Sequence, residues 1–474
     1  MSKIDWKQVE QWNKDYVVKC FAKESEYGTM FVESAEGDYL IDASGNRWLD
    51  FYNQLYCVNA GQRIPEVQQA IKDATDRYGF VWDVYTTDYK AEAAKVLIED
   101  ILGKDSWAGQ VRFTLGGGDS VEVASLIARL LTGKHLIATR EFGYHGVSSG
   151  AVSFTRIIAS RNNAVTEEYG KSREIPGADY NGSYMVPAPF CYRCALGHSY
   201  PECKCIYADG TLPCVKQTEL VIRSHGVQRT AAIITEPAQG AGTIIPPKEY
   251  LAQIQEMKNR LGILWIMDEV LMGFGRLGEW FGHQAFDGEI KPDIMTTAKG
   301  LTSSALPAGA VVISKELAKQ LGEMRWNHVS TFSGHPIVLA AAAANMKHLI
   351  KNNVPAQCKK AGEYFGQELL ALHEKHPSIG FIGGKGMFWQ VELVKDRETK
   401  EPFITDDRYL TFAGDQSKYP IHIIEEKCAE KGVLLGGFLP NTLRIGASCV
   451  VSKADMDKAI DALDYGLTYL ETQL

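Results

Sequence analysis

The sequence predicts an α/β protein. A large domain on a mostly parallel central sheet is joined by a smaller α+β domain built from both chain ends. Three observations predict this. Short apolar, β-rich runs alternate with amphipathic stretches through the middle of the chain, and strand–helix–strand alternation gives a parallel sheet covered on both faces. The ends read differently, with a hairpin pattern near the start and long helices near the finish. Finally, 474 residues, 45% of them hydrophobic, can bury the cores of more than one domain without disulfides or a metal.

The elements follow in order. Residues 37–54 (GDYLIDASGNRWLDFYNQ) alternate around a turn at 43–46, as a hairpin does. Residues 110–115 (QVRFTL) read as a strand, and 119–131 as a helix with Val123, Leu126, Ile127, Leu130 and Leu131 along one face. The runs 135–139, 231–235, 263–267, 294–297 and 308–313 suit buried strands, with a helix at 247–261 between two of them. The alanine-rich run 337–346 reads as a buried helix, and 387–393 and 433–435 as later strands. The division is then 1–64, the N-terminal part of the small domain; 65–330, the large domain, carrying a cysteine-rich insert at 187–215; and 331–474, the rest of the small domain.

Charge narrows the partners. Lys+Arg is 50 against Asp+Glu 58, a net −8, which argues against nucleic acid or an anionic membrane as a partner. No apolar run approaches the ~20 residues of a membrane span. The first residues, MSKIDWKQVEQWNKDY, lack the apolar core of a secretory signal. The expected compartment is the cytoplasm.

Five of the ten cysteines cluster as C-x2-C-x8-C-x-C-x8-C: Cys191, Cys194, Cys203, Cys205 and Cys214. A reducing compartment keeps them as thiols. Cys191, Cys194, Cys203 and Cys205 could offer four thiolates to a tetrahedral zinc. The C-x-C step departs from a regular second C-x2-C, so free thiols in a surface excursion are the first expectation, and no metal is assigned.

Three segments carry chemistry. Leu115-Gly116-Gly117-Gly118-Asp119-Ser120 joins a strand to a helix. Glycines let the backbone approach a ligand, and the helix start offers free N–H groups to a phosphate. The turn matches neither G-x-x-x-x-G-K-[ST] nor G-x-G-x-x-G. Asp268-Glu269 ends one apolar run and Lys299 ends another. Burial at a strand end lowers a lysine's pKa, and a neutral amine forms Schiff bases. A phosphate cradle, a buried carboxylate and such a lysine are what pyridoxal phosphate needs.

These segments resemble class III aminotransferases of the fold type I pyridoxal phosphate family. FTLGGGDSVEVASLIAR resembles the family's F-x-N-S-G-S-E-A-x-E-x-A turn, and GYHG its YHG. ITEPAQGAG matches EP-x-Q-G, and IMDEVLMGFGRLGEWFG matches DEV-x-x-GFGRTG, the most specific of the set. AKGLTSSALPAGAVV, STFSGHPIVLAAAAANM and LRIGASCVVSKADMDKAIDAL match the lysine segment, the T-F-x-G-x-P helix start and the L-R-I-x-P-P-L segment. The resemblance implies a transaminase that binds pyridoxal 5'-phosphate as an internal aldimine on Lys299, whose amine then carries the proton. It implies Asp268 on the pyridine nitrogen, with Val270 and Tyr144 on the two ring faces. Glu236 and Gln239 stand where the family contacts Asp268 or the ring hydroxyl. Gly117 and Gly118 face the phosphate, with Asp119, His145 and Ser330 in the cofactor set. Thr331 reaches the neighbouring subunit's phosphate, so the family site implies a homodimer.

On the substrate side the resemblance makes Arg444 the receiver of a substrate carboxylate, a role its planar fork suits. Tyr56 and Trp82 are expected to line the pocket. The departures are informative. Gly116 and Gly118 replace both serines of the phosphate loop, so hydroxyl donors are missing there. Val147 follows YHG where 4-aminobutyrate enzymes often carry an arginine, and Ala241 stands where glutamate-using relatives often carry a gating glutamate. The cysteine-rich insert resembles the C-Y-R-C-x-x-G-x-x-Y-P-x-C loop of a branch that includes ω-amino acid and taurine transaminases. The expected reaction moves an amino group from a taurine- or β-alanine-type donor to 2-oxoglutarate or pyruvate. The alternatives on the same fold are 4-aminobutyrate transamination and amino-acid racemisation.

Overall fold

Seven strands form the central sheet, in the order Ala108–Thr114, Gly309–Ser314, Ile294–Thr297, Leu264–Asp268, Thr230–Thr235, Leu136–Arg140, Ser183–Val186. The computed structural model describes residues 4–18, 30–157, 162–166, 171–174, 182–404 and 419–473. Gly309–Ser314 runs antiparallel to both of its neighbours, and the other pairings are parallel. The sheet is therefore mostly parallel, as the alternation of runs implies. Its edges of strand and helix fall within three residues of the expected ones.

Both sheet faces are buried. Along Leu264–Asp268, Trp265 and Met267 join one core and Ile266 another, the period-two alternation of a strand. Helix Gly117–Thr132 covers the Ile266 side with Val121, Val123, Ala124, Ile127 and Ala128. Helix Tyr250–Leu261 brings Tyr250, Leu251, Ile254 and Met257 to the other core. Each such side chain contributes about 1.5–3 kcal/mol by leaving water. One detail of the sequence reading is corrected: Leu126 and Leu130 are exposed. Small residues on the opposite side of the helix, Ala124 and Ala128, let it approach the sheet instead.

The ends of the chain meet in a second sheet. Val32–Glu36, Tyr39–Asp42 and Arg47–Asp50 form an antiparallel meander. Val433–Leu434 adds in parallel, with Val433 opposite Leu49. A third sheet runs Ile379–Lys385, Phe388–Leu393, Thr442–Ile445, Gly436–Leu439. Of these, only Phe388–Leu393 was expected. Helix Pro336–Lys351 is the buried alanine-rich helix, with Leu339 to Ala343 and Met346 in the core. No helix among the described residues is long and apolar enough to cross a membrane.

Candidate active site

The chemistry-bearing segments all leave the carboxyl ends of the same-direction strands. Leu115–Asp119 follows Ala108–Thr114, Glu141–His145 follows Leu136–Arg140, and Glu236–Gln239 follows Thr230–Thr235. Asp268 ends its own strand, and Lys299 follows Ile294–Thr297. Open α/β sheets bind ligands along this edge.

Asp268 is buried and accepts three hydrogen bonds. Oδ1 accepts from the Val270 N–H at 3.0 Å and from Thr296 Oγ1 at 3.1 Å. His145 Nδ1 lies 2.6 Å from Oδ2; a carboxylate can only accept, so the imidazole donates. Thr296 stands opposite Asp268 in the parallel register, three residues before Lys299. Sequence reasoning missed it, although one strand separation would have paired the two. Glu269, the other half of the acidic pair, turns away. It accepts from the N–H groups of Gly282 and His283 at 2.8 Å and from His283 Nδ1 at 2.7 Å, which makes it a clamp on that turn.

Lys299 has φ +37°, a left-handed conformation that costs a non-glycine residue about 1–2 kcal/mol. Its Nζ makes no hydrogen bond to the described residues. Burial pushes its pKa down; Arg444 lowers it further, while Cys57, Asp268 and Glu236 oppose the shift. The same four residues thus surround one amine that is tilted towards its neutral form.

The glycine turn opens helix Gly117–Thr132, and no side chain caps that end. Its first N–H groups are available to an anion. Gly117 lies so close to Val270 that a Cβ would meet Cγ1 at 2.8 Å. Ser120 Oγ sits 2.6 Å from Thr114 Oγ1 and 3.2 Å from the Thr297 carbonyl, tying this turn to the strand that carries Lys299. Asp119 does not face outward: it accepts from the Leu115 N–H at 2.9 Å and closes the turn.

Glu236 accepts from the Tyr144 N–H at 3.2 Å and the Gly240 N–H at 2.7 Å. Burial raises its pKa, with His145 opposing and Asp268 adding. Gln239 donates to the Glu141 carbonyl at 2.7 Å, and its buried Oε1 has no partner among the described residues, like Nε2 of His145. Tyr144 is partly exposed.

Arg444 is buried beside this group. Nη1 donates to the Gly240 carbonyl at 2.8 Å, and the guanidinium lies over the Tyr56 ring, 4.7 Å from its centroid. Tyr56 itself is wholly buried, and its hydroxyl donates to the Arg444 carbonyl at 2.5 Å. It therefore supports Arg444 from beneath, which corrects the expectation that it lines the pocket. Ala241 is buried against Ile157, and Val147 is exposed.

Trp82 and Thr331 lie at the surface of this chain. Trp82 is exposed, as is Phe80, whose ring meets Phe332 at 5.9 Å. Thr331 is exposed and Ser330 half-buried at the start of that turn. Together they form part of an apolar surface.

The cysteine-rich insert needs one correction. Cys191, Cys194, Cys203 and Cys214 line one small cavity with His198 and Tyr200, while Cys205 is exposed. Cys203 and Cys205 share the tight turn Glu202–Cys205, where residues two apart point to different sides. Cys214 comes back instead, from the first turn of helix Pro213–His225. Burial pushes the Cys191 and Cys214 thiols up to about 12. All described cysteines are free, and Cys20 lies outside the described residues. Among the described residues no group of three or more His, Cys, Asp or Glu is placed to hold a metal ion.

Comparison with known proteins adds to this geometry. The family described as Aminotransferase class-III matches residues 20–467. An S-selective transaminase from Bacillus megaterium is 48% identical, with a TM-score of 0.94 over 99% of each chain. The taurine:2-oxoglutarate aminotransferase of Bifidobacterium kashiwanohense, solved with PLP and glutamate, is 28% identical, with a TM-score of 0.86 over 100% of each chain. The putrescine–pyruvate aminotransferase of Pseudomonas aeruginosa is 30% identical over 92% of this chain and 90% of its own.

Proposed function

Because the chain belongs to the class III aminotransferases of fold type I, which use pyridoxal phosphate, we propose that it is an (S)-selective ω-transaminase. It moves an amino group from a donor whose amine is remote from any carboxylate, or has none, to a 2-oxo acid. Pyruvate is the preferred acceptor. Amines without a carboxylate are preferred over taurine and β-alanine as donors.

The residues fit the cofactor. An uncapped helix start suits its phosphate, Asp268 suits a protonated ring nitrogen, and the orphaned Gln239 Oε1 suits the ring hydroxyl. When bound, pyridoxal phosphate supplies the carbonyl that captures the amino group and a ring that draws electrons from the adjacent carbon.

The protein's own part is binding and proton handling. Gly117 and Gly118 would hold the phosphate through N–H groups, since both loop hydroxyls are absent. Val270 and Tyr144 would keep the ring between them. Asp268, braced by His145 and Thr296, holds the proton on the ring nitrogen. Lys299, biased towards the free amine, would be the residue that anchors the cofactor and would serve as the base that moves the proton at the substrate carbon. Arg444 orients the acceptor's carboxylate. We also take the active unit to be a homodimer, with Thr331 and Trp82 serving the partner's site. The exposed Phe80, Trp82, Val329 and Phe332 support that reading.

One observation carries the donor preference. Arg444 rests on the Gly240 carbonyl beside Ala241, and Val147 offers no cation for a second, distal carboxylate. A donor panel tests it: both enantiomers of 1-phenylethylamine, taurine, β-alanine and 4-aminobutyrate, each against pyruvate and 2-oxoglutarate. The expected order is (S)-1-phenylethylamine with pyruvate first. Higher kcat/KM for 4-aminobutyrate with 2-oxoglutarate would overturn the reading. Turnover of an amino acid's chirality with no acceptor present would replace it with racemisation.

A further inference from the structure

We propose that Arg276 is a positioning residue for carboxylate recognition, a buried guanidinium that fixes the seat of Arg444. The inference rests on the reading that Arg444 receives the acceptor's carboxylate.

Arg276 is fully buried, yet it forms no ion pair with any described residue. Burying a charge without a counter-charge is costly, and a well-packed apolar residue is often more stable in such a place. What Arg276 has instead is a set of neutral acceptors. Nη2 donates to Asn53 Oδ1 and Asn59 Oδ1, both at 2.8 Å, and approaches the Tyr56 carbonyl at 3.5 Å. Nη1 donates to the Ala447 carbonyl and approaches the Met387 carbonyl at 3.3 Å.

These acceptors lie on the three segments that frame Arg444. Asn53 and Tyr56 begin and end a left-handed turn in which four consecutive non-glycine residues have φ between +47° and +62°. No isolated peptide holds such a turn, because each residue is strained. That turn puts Tyr56 beneath the Arg444 guanidinium and its hydroxyl on the Arg444 carbonyl. Met387 precedes the strand in which Gln390 pairs with Arg444. Ala447 is three residues beyond Arg444, after Gly446, where a Cβ would collide with the Met387 carbonyl. One planar fork thus holds the support beneath Arg444, the strand beside it and the chain leaving it. Lysine has the charge but not the fork.

The test is Arg276→Lys in the holoenzyme, with the two half-reactions measured separately. Pyruvate has its carboxylate next to the reacting carbon, and 1-phenylethylamine has none. For pyruvate, kcat/KM should fall at least tenfold, mostly through KM. For 1-phenylethylamine it should fall less than threefold, with the thermal midpoint recorded alongside. Asn53→Gly is the second variant, since glycine accepts φ +47° and the substitution cuts the side-chain link to Arg276 together with the bond that Nδ2 donates to the Val58 carbonyl at 3.1 Å. It should show the same selectivity at three- to tenfold, and it decides the matter if Arg276→Lys does not fold. Equal losses in both half-reactions, or no loss, would overturn the proposal. Arg444→Ala separates the two readings. If it too lacks acceptor selectivity, the role of Arg444 has failed; if it is selective and the Arg276 and Asn53 variants are not, only the positioning role has failed.

Discussion

Asp268→Asn separates shape from charge at the centre of the site. Asparagine fills the same volume, so packing survives. It cannot satisfy all three donors that meet the carboxylate. With its oxygen kept towards the Val270 N–H and Thr296 Oγ1, its NH2 faces His145 Nδ1, now 2.6 Å from Oδ2. The imidazole must then accept at Nδ1 and carry its proton on Nε2, which is buried and has no partner among the described residues. One hydrogen bond to a charge, worth about 1.5–3 kcal/mol, becomes a neutral one worth about 0.5–1.5. Folding stability should drop by about 1–2 kcal/mol on this difference. The catalytic loss should be larger, because the amide cannot hold a protonated ring nitrogen. Removing a preorganised electrostatic partner typically costs 10²–10³ in rate, about 2.7–4 kcal/mol. The assay is stopped-flow single turnover with (S)-1-phenylethylamine, together with cofactor content after gel filtration and a thermal melt. Expected are near-full cofactor content, a modestly lower midpoint and a rate down at least a hundredfold. A rate within tenfold of the parent at full cofactor content would refute the role given to Asp268.

Lys299→Met should abolish turnover and the visible absorbance of lysine-bound cofactor. It should also change how stability depends on pH in the cofactor-free protein. Burial lowers the folded pKa of Lys299 below the unfolded value of about 10.4. Between the two the unfolded chain binds the extra proton, so parent stability rises with pH there. The methionine variant should therefore gain most below the folded pKa and lose its advantage as pH approaches ~10.4; a difference independent of pH would contradict the depressed amine. Gly446→Ala should cost about 1–3 kcal/mol by overpacking, because a Cβ there meets the Met387 carbonyl and lies 3.1 Å from Tyr56 Cε1; a melt within error of the parent would show that the seat yields. In thiol labelling at neutral pH, exposed Cys205 should react quickly, while Cys191 and Cys214, with thiols near 12, should react only on unfolding. Equal rates by mass spectrometry would argue against the half-buried cluster.

Much of the site was legible because its signals are local. Asp268 and Lys299 each end an apolar run, and a strand end fixes where the next side chain emerges. The glycine turn lies between a strand and a helix that are both readable from periodicity. The less legible parts depend on contacts between distant segments. The turn at Asn53 to Tyr56 contains no glycine, so the usual sequence sign of positive φ is missing. One of its braces is Arg276, more than 200 residues later, which donates to Asn53 Oδ1. Arg276 itself reads as one letter of a motif, and nothing in GFGR says that its guanidinium is buried with no carboxylate partner among the described residues. Ile379–Lys385 hides as a strand because Gly383 and Gly384 interrupt its pattern; Trp389 packs where a Cβ at Gly384 would be.

Leu126 and Leu130 fall outside local reading for a further reason. Helical spacing groups them with Ile127, but periodicity only identifies apolar positions and does not say what covers them. In this chain the small residues Ala124 and Ala128 face the sheet and the two leucines face outward. A helix with apolar side chains on two sides needs two burials, and one chain supplies only the first. The same holds for Trp82, which a single chain leaves exposed. Both are accounted for if a second copy completes the site. Substituting Leu126 and Leu130 together by glutamate should then shift sedimentation towards monomer and lower turnover with it. A pair substitution that leaves both unchanged would remove these leucines from the interface.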